Sequence, residues 1–253
     1  MRASDLSPLL DDCPVSYYWA GFLLADGTVS GKRIKLHLSA KDSSHVRRFA
    51  KFISYRGRRK DKCAVSAMDS KLVPALGRKF GIINNKTYNP PQLEWIKDND
   101  LFLSIFAGFV DGDGNIRKLH NRPDFSLRIK CHSSWINTIQ MFADRLSVIC
   151  SEEIPNAKIN SQGYTEISIG NSIVLKKIKR LLMPLELPLL KRKWNQIDLR
   201  FISRREQSIK NQNVVWRMLD EGYRQIDIAK KLGLSKTGVC LIAKRREVPS
   251  GLV

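Results

Sequence analysis

Two nine-residue segments of the chain are near copies of one another. Residues 19–27 read WAGFLLADG and residues 106–114 read FAGFVDGDG. An aromatic residue, Ala, Gly, Phe, an aliphatic residue and a terminal Asp-Gly coincide, and Asp26 and Asp113 stand 87 positions apart. A long pattern that recurs once at such spacing is much stronger evidence than a single copy, and it marks two units built on one plan.

The residues after each copy also correspond. After Gly27, Ile34, Leu36, Leu38 and Ala40 alternate with Arg33, Lys35, His37, Ser39 and Lys41. After Gly114, Phe125, Leu127, Ile129 and Cys131 alternate with Ser126, Arg128, Lys130 and His132. Period two predicts half-buried strands with one basic face. Helical spacing comes next in each unit (Val46, Phe49, Phe52, Ile53; Ile136, Ile139, Met141, Phe142), then strand regions near 63–68 and 157–170, then helices over 71–80 and 174–182. The expectation is an α+β chain with two αββαββα units over residues 1–100 and 101–203.

Each nonapeptide reads as the end of a buried helix. Gly27 and Gly114 suit the left-handed residue that often terminates one. Gly21 with Ala25, and Gly108 with Gly112, form small-residue stripes that let two helix backbones approach closely. If the two helices pack in parallel, Asp26 and Asp113 meet at two negative helix ends. A divalent cation relieves that repulsion, and all-oxygen ligation by hard donors points to Mg²⁺.

Charge supports a polyanionic partner. The 253 residues carry 44 Lys and Arg against 24 Asp and Glu, a formal +20. The excess is spread along the chain: 18 basic against 10 acidic residues in 1–101, 15 against 9 in 102–203, and 11 against 5 in 204–253. A neutral enzyme with one basic tail is thereby excluded, and nucleic acid is the expected partner. Five scattered cysteines without a C-x-x-C pair argue against a zinc ribbon or a disulfide framework. With no apolar leader and no apolar run near about 18 residues, an intracellular protein without a membrane span is expected. The four histidines (His37, His45, His120, His132) have no zinc spacing and are expected on the sheet surface or in solvent.

The two nonapeptides resemble the LAGLIDADG motif of homing endonucleases, in the single-chain form with two repeats. The resemblance covers roughly residues 15–203. It implies a pseudo-two-fold pair of αββαββα units whose saddle-shaped antiparallel sheets lie in the DNA major groove. It implies sequence-specific double-strand cleavage of a long DNA target by a monomer, dependent on Mg²⁺ (with Mn²⁺ as a substitute) and leaving 3′ overhangs. No small-molecule substrate is implied. The metal-binding acids fall on Asp26 and Asp113, with Gly27 and Gly114 beside them. The lysine that such proteins place near the end of each repeat falls on Lys86, in GIINNKTYNPP, and on Lys193 or Lys191, in LPLLKRKW. The expected DNA-facing side chains are Arg33, Lys35, His37, Ser39, Lys41, Arg117, Arg128, Lys130, His132 and Lys158. The chain departs from the pattern in two places. The sixth motif position is Leu24 in one copy and Asp111 in the other, and a strand position that is often polar falls on Ala40 and Cys131.

Beyond residue 203 the pattern changes. Residues 204–213 are polar and basic and are expected to be a linker or a frayed helix. Val214, Val215, Met218 and Leu219, then Ile226, Ile228, Ala229 and Leu232, then Val239 and Ile242 have helical spacing, broken by Gly222 and Gly233, with Ser235 a candidate N-cap. The segment IAKKLGLSKTGV resembles a helix-turn-helix, which would present Lys236, Thr237, Lys244 and Arg245 to DNA. Two other functions fit the outline. One is a non-cutting regulator that joins a LAGLIDADG-like fold to a helix-turn-helix, against which the paired acids and lysines argue; the other is an intron RNA maturase.

Overall fold

The computed structural model describes residues 4–57, 61–118 and 124–247. The chain divides into two compact units, Met1–Leu199 and Arg200–Val253. Among the described residues, no helix is long and apolar enough to cross a membrane.

The first repeat runs α1 (Pro14–Asp26), β1 (Gly27–Ser30), β2 (Arg33–His37), α2 (Ser43–Phe52), β3 (Ala64–Met68) and α3 (Leu72–Phe80). The second runs α4 (Asn99–Asp113), β4 (Gly114–Lys118), β5 (Phe125–His132), α5 (Ile136–Cys150), β6 (Lys158–Ile159), β7 (Tyr164–Ile169) and α6 (Ser172–Leu182), followed by a single turn, α7 (Lys191–Trp194). Both sheets are antiparallel, in the orders β1-β2-β3 and β4-β5-β7-β6.

Among its described residues the first repeat shows one strand after α2, where the αββαββα plan expects two. A second departure concerns Ala40, which is exposed in a short 3₁₀ turn and does not continue the face of β2.

The two nonapeptide helices form the centre of the unit. Pro14 begins α1, where its missing N–H costs no helix bond. Asp98 caps α4 by accepting the Leu101 N–H at 2.9 Å. Residues 16–24 of α1 and 102–111 of α4 are buried almost all round, as an interior helix requires. A Cβ on Gly21 would lie 1.9 Å from the Ile105 carbonyl oxygen, and one on Gly108 would lie 1.9 Å from that of Tyr18. The contact is reciprocal, since Tyr18 and Ile105, like Gly21 and Gly108, are 87 apart. Around this axis Trp19 and Phe22 pack on α2 through Phe49 and His45, with Trp19–Phe49 centroids 5.0 Å apart. Phe102, Phe106 and Phe109 pack on Phe142 of α5.

The unit from Arg200 onward is all-α: α8 (Arg204–Asp220), α9 (Gln225–Leu232) and α10 (Lys236–Glu247). The expected linker at 204–213 is instead the first half of α8. Ser203 and Glu206 make a reciprocal capping box, with Glu206 N–H to Ser203 Oγ at 3.2 Å and Ser203 N–H to Glu206 Oε2 at 2.8 Å. That box satisfies the orphan donors of a polar helix start. Val215, Met218, Ile228, Ala229 and Val239 form the core, edged by Leu219, Leu232 and Ile242. Gly233 ends α9 at φ 64°, and Ser235 caps α10 by accepting the Gly238 N–H at 3.0 Å.

Candidate active site

Asp26 and Asp113 are the last residues of α1 and α4, and the tight crossing brings them together. Where the helices meet, a Cβ on Gly112 would lie 2.3 Å from the Ala25 Cβ and 3.4 Å from the Asp26 nitrogen. The glycines next in the chain are not left-handed, which corrects the sequence expectation. Gly27 (φ −75°, ψ 146°) and Gly114 (φ −78°, ψ 152°) are extended and begin β1 and β4 directly. They are glycines for lack of room: an added Cβ would lie 2.5 Å from the Leu23 carbonyl oxygen or 2.6 Å from that of Val110.

Both residues are exposed, yet the protein packed beside them displaces part of the water around each carboxylate. Burial, followed by the charge of Asp26, pushes Asp113 up to about 6, against the pull of Lys86 and Lys193. Burial also raises Asp26, with Lys193 and Lys86 opposing it.

Each helix end carries one lysine. Lys86 donates from Nζ to the Ala25 carbonyl at 3.3 Å. Lys193, on α7, donates to the carbonyls of Asp111 and Gly114 at 2.6 Å, Val110 at 2.9 Å and Gly112 at 3.1 Å. A cation among the orphan carbonyls of a helix C-terminus is favoured by hydrogen bonding and by the macrodipole. Burial lowers Lys86, and it lowers Lys193 to about 8, while both acids favour the charged amines. Of the two lysines left open in LPLLKRKW, Lys193 is the buried one at this site and Lys191 is exposed.

Several residues of this centre carried no functional assignment from the sequence. Asp111 is buried and accepts from Tyr18 Oη at 2.7 Å, Leu190 N–H at 2.8 Å and Trp194 Nε1 at 2.8 Å. Burial moves it up to about 6 against those three donors. Tyr18 Oη lies 3.0 Å from His45 Nε2. With Tyr18 donating to Asp111, His45 donates from Nε2, and its Nδ1 is buried without a partner. Burial holds that imidazole neutral, at about 3. His45 is thus a core residue and not the surface residue expected, because α2 turns it in among Tyr18, Trp19 and Phe22. Arg192 grips Asp42 with two bonds, of 2.7 and 2.6 Å, tying α7 to the start of α2. The sequence signal for Asp111 was its place at the sixth position of the second nonapeptide, where the first has Leu24.

The donor set suits a hard divalent cation: two partly desolvated, mutually repelling carboxylates among backbone carbonyls. Among the described residues, no group of three or more His, Cys, Asp or Glu converges on a metal position. A cation held by Asp26 and Asp113 would complete its shell with water and phosphate oxygens, the usual mode for Mg²⁺. Of the two glycines beside the acids, Gly114 already gives its carbonyl to Lys193. Burial, with the nearby charge of Asp113, pushes the Cys131 thiol up to about 12.

The basic sheet faces are asymmetric. Arg33, Lys35 and His37 project from β2, and Ser39 and Lys41 come after it, all exposed. In the second sheet Arg117, Lys130 and Lys158 are exposed, and Arg128 and His132 are half-buried. Arg128 pairs with Glu166 at 2.5 Å, Lys130 lies 4.4 Å from the Tyr164 ring centroid, and His132 packs on Tyr88. His120 lies outside the described residues. On α10, Lys236, Thr237, Lys244 and Arg245 are exposed.

No protein-family model matches the sequence, and no curated protein matches it. Among solved structures, 83 chains match. The LAGLIDADG homing endonuclease I-GzeII in complex with its DNA target is 14% identical, with 92% of this chain and 98% of that chain covered and a TM-score of 0.44. The I-LtrWI LAGLIDADG homing endonuclease bound to target DNA is 11% identical, with 95% and 99% covered and a TM-score of 0.45. Full-length DUF199/WhiA from Thermatoga maritima is 17% identical, with 92% and 89% covered and a TM-score of 0.46. The chain is thus similar both to DNA-bound LAGLIDADG endonucleases and to a WhiA protein.

Proposed function

We propose that the chain is a sequence-specific DNA endonuclease of the LAGLIDADG homing type, cutting both strands of a duplex with Mg²⁺ and leaving 3′ overhangs. The observation that carries this reading is the pairing of two carboxylates at meeting helix ends, each helix end with its own lysine. A structural turn after a buried helix has no use for two adjacent, partly desolvated acids. A pair of phosphodiester-cleaving half-sites has.

Asp26 and Asp113 would hold Mg²⁺, which supplies Lewis acidity and an activated water when bound. The chain's own groups do the rest. Lys86 and Lys193 place fixed positive charge where a phosphate gains negative charge during attack. The β2 and β5 faces supply backbone and base contacts. The crossing of α1 on α4 fixes the spacing of the two acids. The three-helix C-terminal unit is read as a helix-turn-helix, with α10 contributing Lys236, Thr237, Lys244 and Arg245 to DNA binding.

Cleavage of a plasmid library of random inserts, in Mg²⁺ and in EDTA, tests the reading. Linear products with 3′ overhangs in Mg²⁺ alone are expected. Tight duplex binding with no cleavage in Mg²⁺ or Mn²⁺ overturns it in favour of a regulator, and selective binding of folded RNA favours a maturase.

A further inference from the structure

We propose that Asp111 is a positioning residue that holds Lys193 at the end of α4, leaving the chain with one prebuilt half-site and one loosely held half-site. The proposal rests on the endonuclease reading only for its consequence in cutting. The positioning role stands on contacts alone.

The single turn α7 is too short to hold its own shape, so something outside it must. Asp111 grips both of its ends, accepting the Leu190 N–H just before the turn and the Trp194 indole N–H at its last residue. Lys193 lies between these anchors, and its amine meets four carbonyls around the end of α4. The carboxylate is steadied from the first repeat, through Tyr18 Oη and behind it His45. Buried charge-assisted bonds of this kind are short and directional, which suits a clamp.

The first repeat has no counterpart. Position 24 is a buried leucine, and Ile105 is the equivalent of Tyr18. Lys86 comes after a turn with Asn85 at φ 56° and makes its one described bond to this helix end at 3.3 Å. The repeat that retains the second motif carboxylate therefore orders its lysine before DNA arrives, and the other repeat orders its lysine on binding.

The test uses the full chain without metal or DNA. Limiting acetic anhydride labels lysines, and mass spectrometry reads Lys86, Lys191 and Lys193 separately. In the wild type, Lys193 should label far more slowly than Lys191. Asp111→Asn puts an amide donor against three donors. It should raise Lys193 labelling about tenfold, as expected for loss of a charge-assisted hydrogen bond, and leave Lys86 unmoved. On a plasmid that the wild type cuts, the variant should accumulate nicked circles, with one strand slowed about 10- to 100-fold relative to the other. Lys193 labelling that stays low, labelling of both lysines rising together, or equal slowing of both strands overturns the proposal. If Asp111→Asn does not fold, Tyr18→Phe removes one of the three donors and should give a smaller rise confined to Lys193; no rise overturns the proposal. A wild type that cuts nothing while Lys193 labelling responds as expected removes the endonuclease reading and keeps the positioning role.

Discussion

At Asp113 burial, a second carboxylate and the negative end of α4 all disfavour ionisation, and two lysines only partly offset them. With a folded pKa raised to about 6 from an ordinary 3.8, the native state binds the extra proton between those values. Stability therefore falls as pH rises through that window, and the ionised group opposes folding at pH 7. In EDTA at pH 7, Asp113→Asn should melt about 2 °C higher than the wild type and lose part of the decline between pH 4 and 6. Added Mg²⁺ should raise the melting temperature of the wild type but not of the Asp26→Asn, Asp113→Asn double variant. Cleavage should vanish in either single variant while duplex binding persists; a variant that still cuts removes that acid from the site. The lysines divide differently. Lys86→Met and Lys193→Met should each slow cleavage by about 10²-fold. Lys193→Met alone should also lose about 1–3 kcal/mol of stability, because it removes the buried hydrogen bonds that its amine makes around the end of α4. Equal melting temperatures for the two lysine variants would contradict the bonds that Lys193 makes at the end of α4.

At the scale of elements, the α1–α4 crossing decides whether the two acids meet. Backbone oxygens stand 1.9 Å from where a Cβ would be at Gly21 and Gly108, and backbone cannot step aside as a side chain can. Gly21→Ala or Gly108→Ala should cost about 3 kcal/mol or more and abolish cleavage by parting the helix ends. Loss of cleavage with an unchanged melting temperature would mean that the glycines serve something other than packing. The start of α8 depends on chemistry of a different kind. Ser203→Ala breaks the capping box and should cost the C-terminal unit about 1 kcal/mol, seen as faster amide exchange in the first turn of α8. Unchanged exchange there would show that the cap is not what orders the first turn.

For the molecule as a whole, the excess of positive charge lies in both units, so on the endonuclease reading DNA affinity should be a sum over both. Ending the chain at Leu199 removes a separate core built from Val215, Met218, Ile228 and Val239 and leaves the acids and lysines in place. The shortened protein should cut at high concentration, bind more weakly, and show a shallower slope of log affinity against log salt, by about 0.9 for each phosphate no longer neutralised. An unchanged slope would make the three-helix unit a bystander in binding.

Sequence periodicity made the local layers legible. The repeat, the basic alternation of β2 and β5, the glycine stripes and the three C-terminal helices are all set by neighbours within a few positions, where spacing and side-chain type decide the outcome. The glycine stripes even announced the crossing, because no other residue allows backbones that close. Long-range contacts decided the rest. Lys193 reaches carbonyls 79 to 83 positions away, and Asp111 gathers Tyr18 from 93 positions before it. No periodicity encodes such pairings. They arise from which buried polar groups can be satisfied once the apolar faces have closed. For the same reason His45 turned out to be a core group, and Gly27 and Gly114 proved to be extended residues with no room for a side chain. Their side chains allowed either outcome, and tertiary packing selected one.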